Sequence, residues 1–440
     1  MPATEKPAPE PGRGSRPPIP DAVRRDFKRN YAAHSVEGGL FIGALAFISP
    51  ETILPPFLED LGAPSLLIAA MPILFWLGFV VPPLFVNHRI ERLDRYKPWV
   101  VFWAWFQRVP LVIPATLLLF ADALPNWVLL ATIPTMMFFL GMAGGVTIPA
   151  WSALIAKVIP AHRRASAQAI RQALGATLGI GAGSVADWVL SEVQGPSAYS
   201  ILFFTSVLIF LVGLGVFSLI REPDLPQTKR PPQDLRESLR EFVRMVRGDR
   251  RLLNYLLSRG FILGLFILVP FLSIHAIETL NEDRAYSGLL TSFQSLGILL
   301  GNLAAGFIGD RFGGKVIMVI ALNALILLTL LTLVASQEWV FLLIFILWGA
   351  GFSLQNVGHQ TLQLEIAPPD RIAAYVSVQM AATVPFMLVA PLLSTGLRYL
   401  STEYLEQAIW PLALPALISL VVALMFLLPV SDPRRERTCG

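Results

Sequence analysis

Arg108 is the deepest charge in a strongly apolar stretch of this 440-residue chain. A guanidinium stays protonated and needs an acceptor, so Arg108 predicts a contact with a carboxylate, with backbone carbonyls or with an anionic ligand. Its stretch begins near Pro98, which places Arg108 about 15 Å along a helix that rises about 1.5 Å per residue. Two interpretations follow: Arg108 anchors an anionic solute, or it is an internal strut between helices. Pro110 and Pro114 free backbone carbonyls that could serve as its partners.

Glu37 is the carboxylate best placed to meet this cation. It lies beside His34 near the start of the first apolar stretch. A buried carboxylate there can load and release a coupling proton, because burial favours its neutral form. In the other interpretation Glu37 lies about one turn inside the cytoplasmic end of the first helix, at the level of the lipid headgroups, and reaches back to water. That shallow position favours the second interpretation, with His34 at the interface.

Polar side chains in the second half of the chain form a stripe. Residues at i, i+3, i+4 and i+7 share one helical face, and four polar residues follow that spacing: Asn356, His359, Gln360 and Gln363. The stripe suits a water-lined pathway, and it suits an interhelical hydrogen-bond network almost equally well. The predicted substrate cavity comprises Arg108, Glu37, Gln294, Asn302, Asn356, His359, Gln360 and Gln363.

Five further polar residues have expected positions. Arg259 and Gln379 are expected to line the mouth of the cavity. Glu51, Asp187 and Glu278 lie toward the outer ends of apolar stretches, where exposure to water is the expected state.

The elements that must position these residues are membrane helices. Apolar residues make up 55% of the chain, charged residues 15%, and the mean hydropathy is +0.62. A bilayer core of about 30 Å needs about 20 apolar residues per helix. We predict twelve spans, near 36–58, 66–87, 98–120, 127–157, 165–190, 198–220, 252–277, 287–308, 315–336, 338–366, 372–397 and 407–430.

Charge placement predicts the orientation. Lys and Arg concentrate in alternate loops, which is the positive-inside pattern and places both termini in the cytoplasm. Topology therefore accounts for the net charge of +4, and no basic patch indicates nucleic-acid binding. Contact with membrane lipids is expected. The single cysteine, Cys439, excludes an intramolecular disulfide and a cysteine metal site, and no metal or cofactor is expected.

The chain reads as a duplicated unit. Asp94-Arg95-Tyr96-Lys97 is repeated as Asp310-Arg311-Phe312-Gly313-Gly314-Lys315, and Gly141 has a counterpart in Gly349. Duplicated halves around a central cavity are common in transporters. The predicted domains are a disordered cytoplasmic tail 1–30, a six-helix bundle 31–220, a linker 221–251 with a basic amphipathic helix, a six-helix bundle 252–430 and a cytoplasmic tail 431–440.

Together these features resemble the major facilitator superfamily of secondary transporters. The loop from Gly306 to Lys315 is similar to the family's loop between the second and third helices of a half, and the first-half copy keeps Asp94, Arg95 and Lys97. The segment Ser49–Pro55 is similar to a less characterised bacterial branch of the family. The resemblance implies an all-α membrane protein with twelve helices in two pseudo-symmetric bundles, which usually works as a monomer.

A gate on the cytoplasmic side is expected from the two loops. Their carboxylates can face helix N-termini and basic groups while the exit is closed, and separate when it opens. Plain loop capping and topology are the alternative. The predicted gate comprises Asp94, Arg95, Lys97, Gly306, Asp310, Arg311, Lys315, Arg163 and Arg371.

The sequence thus predicts a secondary active transporter of the bacterial inner membrane that moves a small organic solute by alternating access. Proton coupling is one expectation, and Arg108 favours an anionic or amphiphilic solute. Efflux of lipophilic compounds is the close rival, favoured by the aromatic residues Trp99, Trp103, Trp105 and Phe106. A sensor or scaffold with a transporter-like fold is a further alternative. Catalytic and ATP-binding motifs are missing from the sequence, which argues against an enzyme.

Overall fold

The computed structural model describes residues 21–90, 92–224, 244, 246–366, 372–406 and 408–431, and these are almost entirely helical. The helices of the first half are α1 (Asp21–Ala46), α2 (Leu54–Asp60), α3 (Ser65–Val80), α4 (Pro83–Ile90), α5 (Lys97–Arg108), α6 (Val112–Leu119), α7 (Asn126–Val158), α8 (Ala161–Glu192) and α9 (Pro196–Ser218). Those of the second half are α10 (Arg250–Ile262), α11 (Val269–Leu280), α12 (Tyr286–Phe312), α13 (Gly314–Thr332), α14 (Glu338–Ile366), α15 (Ile372–Tyr404) and α16 (Trp410–Leu427).

Ten helical segments among the described residues are long and apolar enough to cross a membrane. They coincide with the third to twelfth predicted spans. The second predicted span contains the shorter apolar helix α3, and the first contains only the last part of α1, residues 36–46, so crossing at these two positions stays a prediction. The chain is an all-α, multi-pass membrane protein.

The first helix begins earlier than predicted, at Asp21, inside the segment 1–30 predicted as a tail. The side chains of Arg29 and Asn30 hold this start to the end of α9, where they donate to the backbone oxygens of Leu219 and Arg221. Residues 1–20 and most of the predicted linker helix lie outside the described residues.

Two spans are interrupted by short 3-10 helices. Val109–Leu111 separates α5 from α6, and Leu263–Ile267 separates α10 from α11. Pro110 lies in the first interruption and Pro270 follows the second; proline has no N–H to donate to the helix, so the regular ladder breaks there. The first interruption directly follows Arg108, and the second begins four residues after Arg259.

Gly141 and Gly349 make equivalent contacts in the two halves. A methyl group built on Gly141 would lie 2.0 Å from the backbone oxygen of Phe75, and one on Gly349 would lie 1.9 Å from that of Gln294. In both halves a glycine therefore lets two helix backbones touch, α3 with α7 and α12 with α14. The repeat seen in the sequence has the same packing role twice.

The two halves meet along a seam in which α8 packs on α12, and α3 packs on α15. In each half, the end at which α1 (first half) or α13 (second half) begins is called the terminal end. The other end is called the opposite end. At the seam a methyl group on Gly183 would lie 2.5 Å from the backbone nitrogen of Ser292, so the helices are in backbone contact. Thr52 and Thr291 are also hydrogen-bonded across it, at 2.6 Å.

Candidate functional site

A cavity of about 430 Å³ lies between α3 of the first half and α10, α13, α14 and α15 of the second. We call it the central cavity. Its polar lining consists of Arg259, Gln355, Asn356, His359, Gln360, Gln363, Gln379 and Thr383. Its aromatic lining consists of Trp76, Phe79, Phe266, Trp348 and Phe352. The space suits a small organic molecule with both polar and apolar parts.

Arg259 is the cation of the central cavity. Its Nη1 donates to Oε1 of Gln355, and its buried Nε has no hydrogen-bond partner in the described segments. Within the part of the chain that the structure describes, no carboxylate lies at ion-pair distance from it. A positive charge thus faces the cavity without a negative partner, which is costly in a low-dielectric site.

His359 is held by two neighbours in a defined orientation. Nε2 of Gln379 lies 2.6 Å from Nε2 of His359, and the Tyr255 hydroxyl contacts Nδ1. If the amide N–H of Gln379 donates, Nε2 of His359 accepts and Nδ1 carries the hydrogen toward Tyr255. The Tyr255 hydroxyl then donates to the His359 backbone oxygen, 3.3 Å away. Nearby, Nε2 of Gln363 is buried without a partner among the described residues, so it can donate to a ligand.

The aromatic side of the cavity is a continuous cluster. The ring centroids of Trp76 and Phe352 are 6.0 Å apart, those of Trp348 and Phe352 5.5 Å, and those of Phe266 and Trp348 6.0 Å. Trp76 belongs to the first half and the others to the second, so an apolar ligand body would touch both halves.

The predicted stripe on α14 lies along the central cavity: Asn356, His359, Gln360 and Gln363 all line it, as do Arg259 and Gln379. Gln294 instead reaches across the seam, and Asn302, also on α12, is not among the lining residues. Binding of a solute by these residues stays a prediction.

Arg108 and Glu37 form a buried ion pair in the first half. Nη2 of Arg108 lies 2.6 Å from Oε1 of Glu37, and the two residues are 4% and 5% exposed. The rings of Phe41 and Phe210 lie 5.5 and 6.0 Å from the guanidinium carbon. Neither charged residue lines the central cavity.

The expectation that Glu37 lies about one turn inside the first helix and reaches water is wrong, whereas the interfacial position of His34 stays a prediction. Both side chains are buried, and the ring of His34 lies 5.4 Å from that of Trp151. The physical reason is the early start of α1 at Asp21, which puts Glu37 about 24 Å along the helix at about 1.5 Å per residue.

Glu51 is the functional candidate that sequence reasoning missed, because exposure to water was expected. It is half-buried, and its Oε2 accepts hydrogen bonds from Nε2 of Gln294 at 2.5 Å and Nε1 of Trp348 at 3.0 Å. The chain turns between α1 and α2, where the Ser49 hydroxyl accepts from the backbone N–H of Thr52. The pair Ser49-Pro50 was the signal from which this turn could have been predicted, since a Ser-Pro pair favours the start of a turn.

Acidic and basic residues also join the halves at the opposite end. Arg284 lies 2.6 Å from Asp60 and 3.3 Å from Glu59, and the buried Arg398 lies 3.6 Å from Glu59 and 3.7 Å from Glu278. We call these five residues the opposite-end clasp. Burial raises the pKa of Glu59 and the charge of Glu278 raises it further, against the lowering effect of the two arginines.

The predicted gate residues make their described contacts within their own halves. Arg95 pairs with Asp224 at 2.8 Å, Lys97 donates to the backbone oxygen of Ser218 at 2.8 Å, and Lys315 donates to that of Leu428 at 2.7 Å. Of the remaining gate residues, Arg311 covers the ring of Phe312. The side chains of Asp94 and Arg163 are exposed, and Gly306 has open space around its Cα. The Asp310 side chain and Arg371 lie outside the described residues, and the gate stays a prediction.

The contacts of Glu222 were not predicted, because Glu222 lies in the segment 221–251 that was predicted to be a linker. Its carboxylate accepts from the backbone N–H groups of Tyr96 and Lys97, at 3.0 and 2.8 Å, and from Nζ of Lys157 at 3.0 Å. It therefore caps the start of α5 and fixes the Asp94–Lys97 loop to α7.

Comparison with known families decides the class of this protein. The family model described as Major Facilitator Superfamily matches residues 38–275 and 260–438. The chain belongs to the major facilitator superfamily. It is therefore an integral membrane transporter and not an enzyme, and its relatives are consistent with the bacterial inner membrane.

Several relatives within the superfamily cover most of the chain. The multidrug resistance protein MdtG of Salmonella typhi is 26% identical over 353 residues, which is 78% of this chain and 82% of the relative. The MdtG protein of Salmonella typhimurium matches to the same extent.

Solved structures of the superfamily share the fold. The nucleoside transporter NupG aligns with a TM-score of 0.72 at 14% identity, over 91% of this chain and all of that one. A D-xylose-proton symporter aligns with a TM-score of 0.64 at 14% identity, over 90% of this chain and 97% of the other.

Proposed function

We propose that this transporter moves a small organic anion, or an amphiphile with an anionic group, through the central cavity. The observation that carries the proposal is Arg259, a guanidinium that lines the cavity without a carboxylate partner among the described residues. A bound anion supplies the missing charge and accepts from the unpartnered Nε of Arg259. Arg108, the residue first considered for this role, already has Glu37.

The rest of the lining supports an amphiphilic solute. The free Nε2 of Gln363 offers a second donor to an acceptor oxygen. The cluster of Trp76, Trp348 and Phe352 offers an apolar surface to the body of the molecule. One ligand then contacts both halves, so its binding can bias their relative position.

We place both termini in the cytoplasm, as the distribution of Lys and Arg favours. The opposite-end clasp then faces the outer side and holds it closed. Closure there, by the clasp and by the Thr52–Thr291 contact, supports an arrangement in which the central cavity exchanges solute with the cytoplasm.

Arg259→Gln tests the role of the cavity cation. In a thermal-stability screen of the purified protein, an organic carboxylate at about a hundred times its Kd should stabilise the wild type by about 2.7 kcal/mol. The substitution should weaken its binding by about 1.5–3 kcal/mol, the value of a hydrogen bond to a charged group. Arg95→Gln, which alters a surface pair with Asp224, is the matched control and should keep the stabilisation.

Efflux of lipophilic compounds is the second candidate. The aromatic walls of the central cavity favour it, and so does the similarity to relatives named as multidrug resistance proteins. It would replace the anion proposal if neutral or cationic lipophilic compounds stabilise the wild type and Arg259→Gln equally, while organic carboxylates stabilise neither.

Coupling to protons, if transport uses it, is best assigned to Glu51. Glu37 has the cation of Arg108 as its partner at 2.6 Å, whereas the described donors to Glu51 are the neutral side chains of Gln294 and Trp348. Protonation weakens the acceptor oxygen that both donors share. Because both donors belong to the second half, loss of these bonds loosens the seam.

Glu51→Gln is expected to remove the pH dependence of transport. The amide resembles the protonated carboxyl, so the seam should be loosened at every pH, and solute movement should no longer follow an imposed proton gradient. Transport in proteoliposomes with and without a gradient measures this. Glu282→Gln, at an exposed acid of the opposite end, is the control, and equal gradient dependence in both variants would contradict the assignment.

A further inference from the structure

A second group of charged residues lies buried in the first half, away from the central cavity. We call His34, Glu37, Arg108, Trp151 and Arg171 the first-half cluster; they come from α1, α5, α7 and α8. Arg171 covers the ring of Trp151 at 5.0 Å and interacts electrostatically with Glu37 and Arg108. Two guanidinium groups therefore face one carboxylate, and the cluster has one positive charge in excess.

Several polar atoms of the first-half cluster are buried without a hydrogen-bond partner among the residues that the structure describes. They are His34 Nδ1, Glu37 Oε2, Arg108 Nε, Arg108 Nη1 and Arg171 Nε. Arg108 is 4% exposed, so its two free nitrogens cannot be satisfied by bulk water. Native proteins leave few such groups unsatisfied, and the three free arginine nitrogens indicate an occupant that has both acceptor capacity and negative charge.

Arg171 connects the first-half cluster to accessible space, and Gly38 leaves room for the Arg171 side chain. Arg171 is half-buried, so part of its side chain reaches accessible space, in contrast to Arg108. A methyl group on Gly38 would lie 1.8 Å from Nε of Arg171, so only glycine at this position allows the guanidinium to lie against α1. The backbone of α1 thus has a recess that holds Arg171 beside the Arg108–Glu37 pair.

We propose that the first-half cluster binds a monovalent anion between Arg108 and Arg171. The anion accepts from the free nitrogens of the two arginines and cancels the excess charge. Two sources share this chemistry: a free inorganic anion such as chloride, and the carboxylate of an organic solute. The proposal is independent of the one for Arg259, which lies in the other half.

Anion titrations of the full-length purified protein test the proposal. Melting temperature is measured while sulfate is exchanged for chloride, nitrate or acetate at constant ionic strength. We expect a saturable rise in the wild type and an apparent affinity roughly tenfold to hundredfold weaker in Arg171→Gln. Arg95→Gln is the matched control, because it removes the same charge from an exposed pair with Asp224, and it should keep the wild-type response to chloride.

The outcomes separate the sources of the anion. A response to chloride or nitrate that Arg171→Gln loses supports an inorganic anion. A response to acetate alone, with the same loss, supports a solute carboxylate. No saturable response in the wild type, or the same response in Arg171→Gln, overturns the proposal and leaves water as the occupant.

Fluorescence quenching gives a test that does not depend on the folding of Arg171→Gln. Iodide is an anion and a heavy-atom quencher, and Trp151 lies beside the proposed site. We expect a saturable quenching component in the wild type that is lost in Trp151→Phe. Quenching that rises linearly with iodide in both proteins would show collisions only and would contradict the site.

Discussion

Arg108→Gln is expected to lower the free energy of unfolding by about 3–5 kcal/mol, the usual effect of removing one partner from a buried ion pair. The substitution leaves the Glu37 carboxylate, which is 5% exposed, without its partner at 2.6 Å. Arg171 interacts with the same carboxylate and compensates in part, so we expect the lower end of the range. Equilibrium unfolding of the purified protein, monitored by tryptophan fluorescence, measures the loss.

Arg95→Gln is the control for this prediction. Arg95 pairs with Asp224, but the two side chains are 61% and 76% exposed, and pairs of that kind contribute about 0–1 kcal/mol. Equal losses in the two variants would show that burial of the Arg108–Glu37 pair has no special role. If Arg108→Gln instead keeps its stability but changes which ligands bind, Arg108 is a substrate anchor and not a strut.

Gly183→Ala is expected to keep the opposite end from closing. The added methyl group would lie 2.5 Å from the backbone nitrogen of Ser292 and 2.6 Å from the backbone oxygen of Gly288, and neither atom can move away without shifting α12. Overpacking of this kind costs about 1–3 kcal/mol, which corresponds to a shift of roughly 5- to 150-fold between closed and open arrangements. The cost applies only to the arrangement in which α8 and α12 touch.

Thiol labelling measures this shift. Thr52→Cys, in a background with Cys439→Ser, puts a single cysteine at a fully buried position of the seam. Gly183→Ala should increase its rate of modification from the opposite end and slow transport. Gly181→Ala, two residues away on α8, meets nothing within 4 Å and should match the parent. Unchanged labelling in Gly183→Ala would mean that the seam separates elsewhere.

Hydropathy and charge spacing were enough to predict much of the fold, because membrane helices are set by local composition. The duplicated loops led to the right family, and the match of residues 38–275 and 260–438 to its model confirms it. Where a helix starts was harder to predict. The polar start of α1 at Asp21 gives no apolar signal, and the place of Glu37 along its helix was misjudged for that reason.

Contacts between distant segments could be predicted only in part. A deep guanidinium demands an acceptor, so a partner for Arg108 was expected, and Glu37 was named as a candidate. The contact of Glu51 with Trp348 depends on how the two halves meet, and no spacing within one segment encodes that. The same holds for Arg259, whose importance comes from the lack of a carboxylate near it within the described segments.

Gly141 and Gly349 have a consequence for how force passes through the molecule. At each glycine two helices touch backbone to backbone, so no side chain between them can change rotamer to absorb a displacement. We therefore expect a displacement of one helix of such a pair to displace the other helix as well. We expect each half to move as a rigid body. A small displacement at the central cavity then becomes a rotation that is seen at the far ends of the same helices.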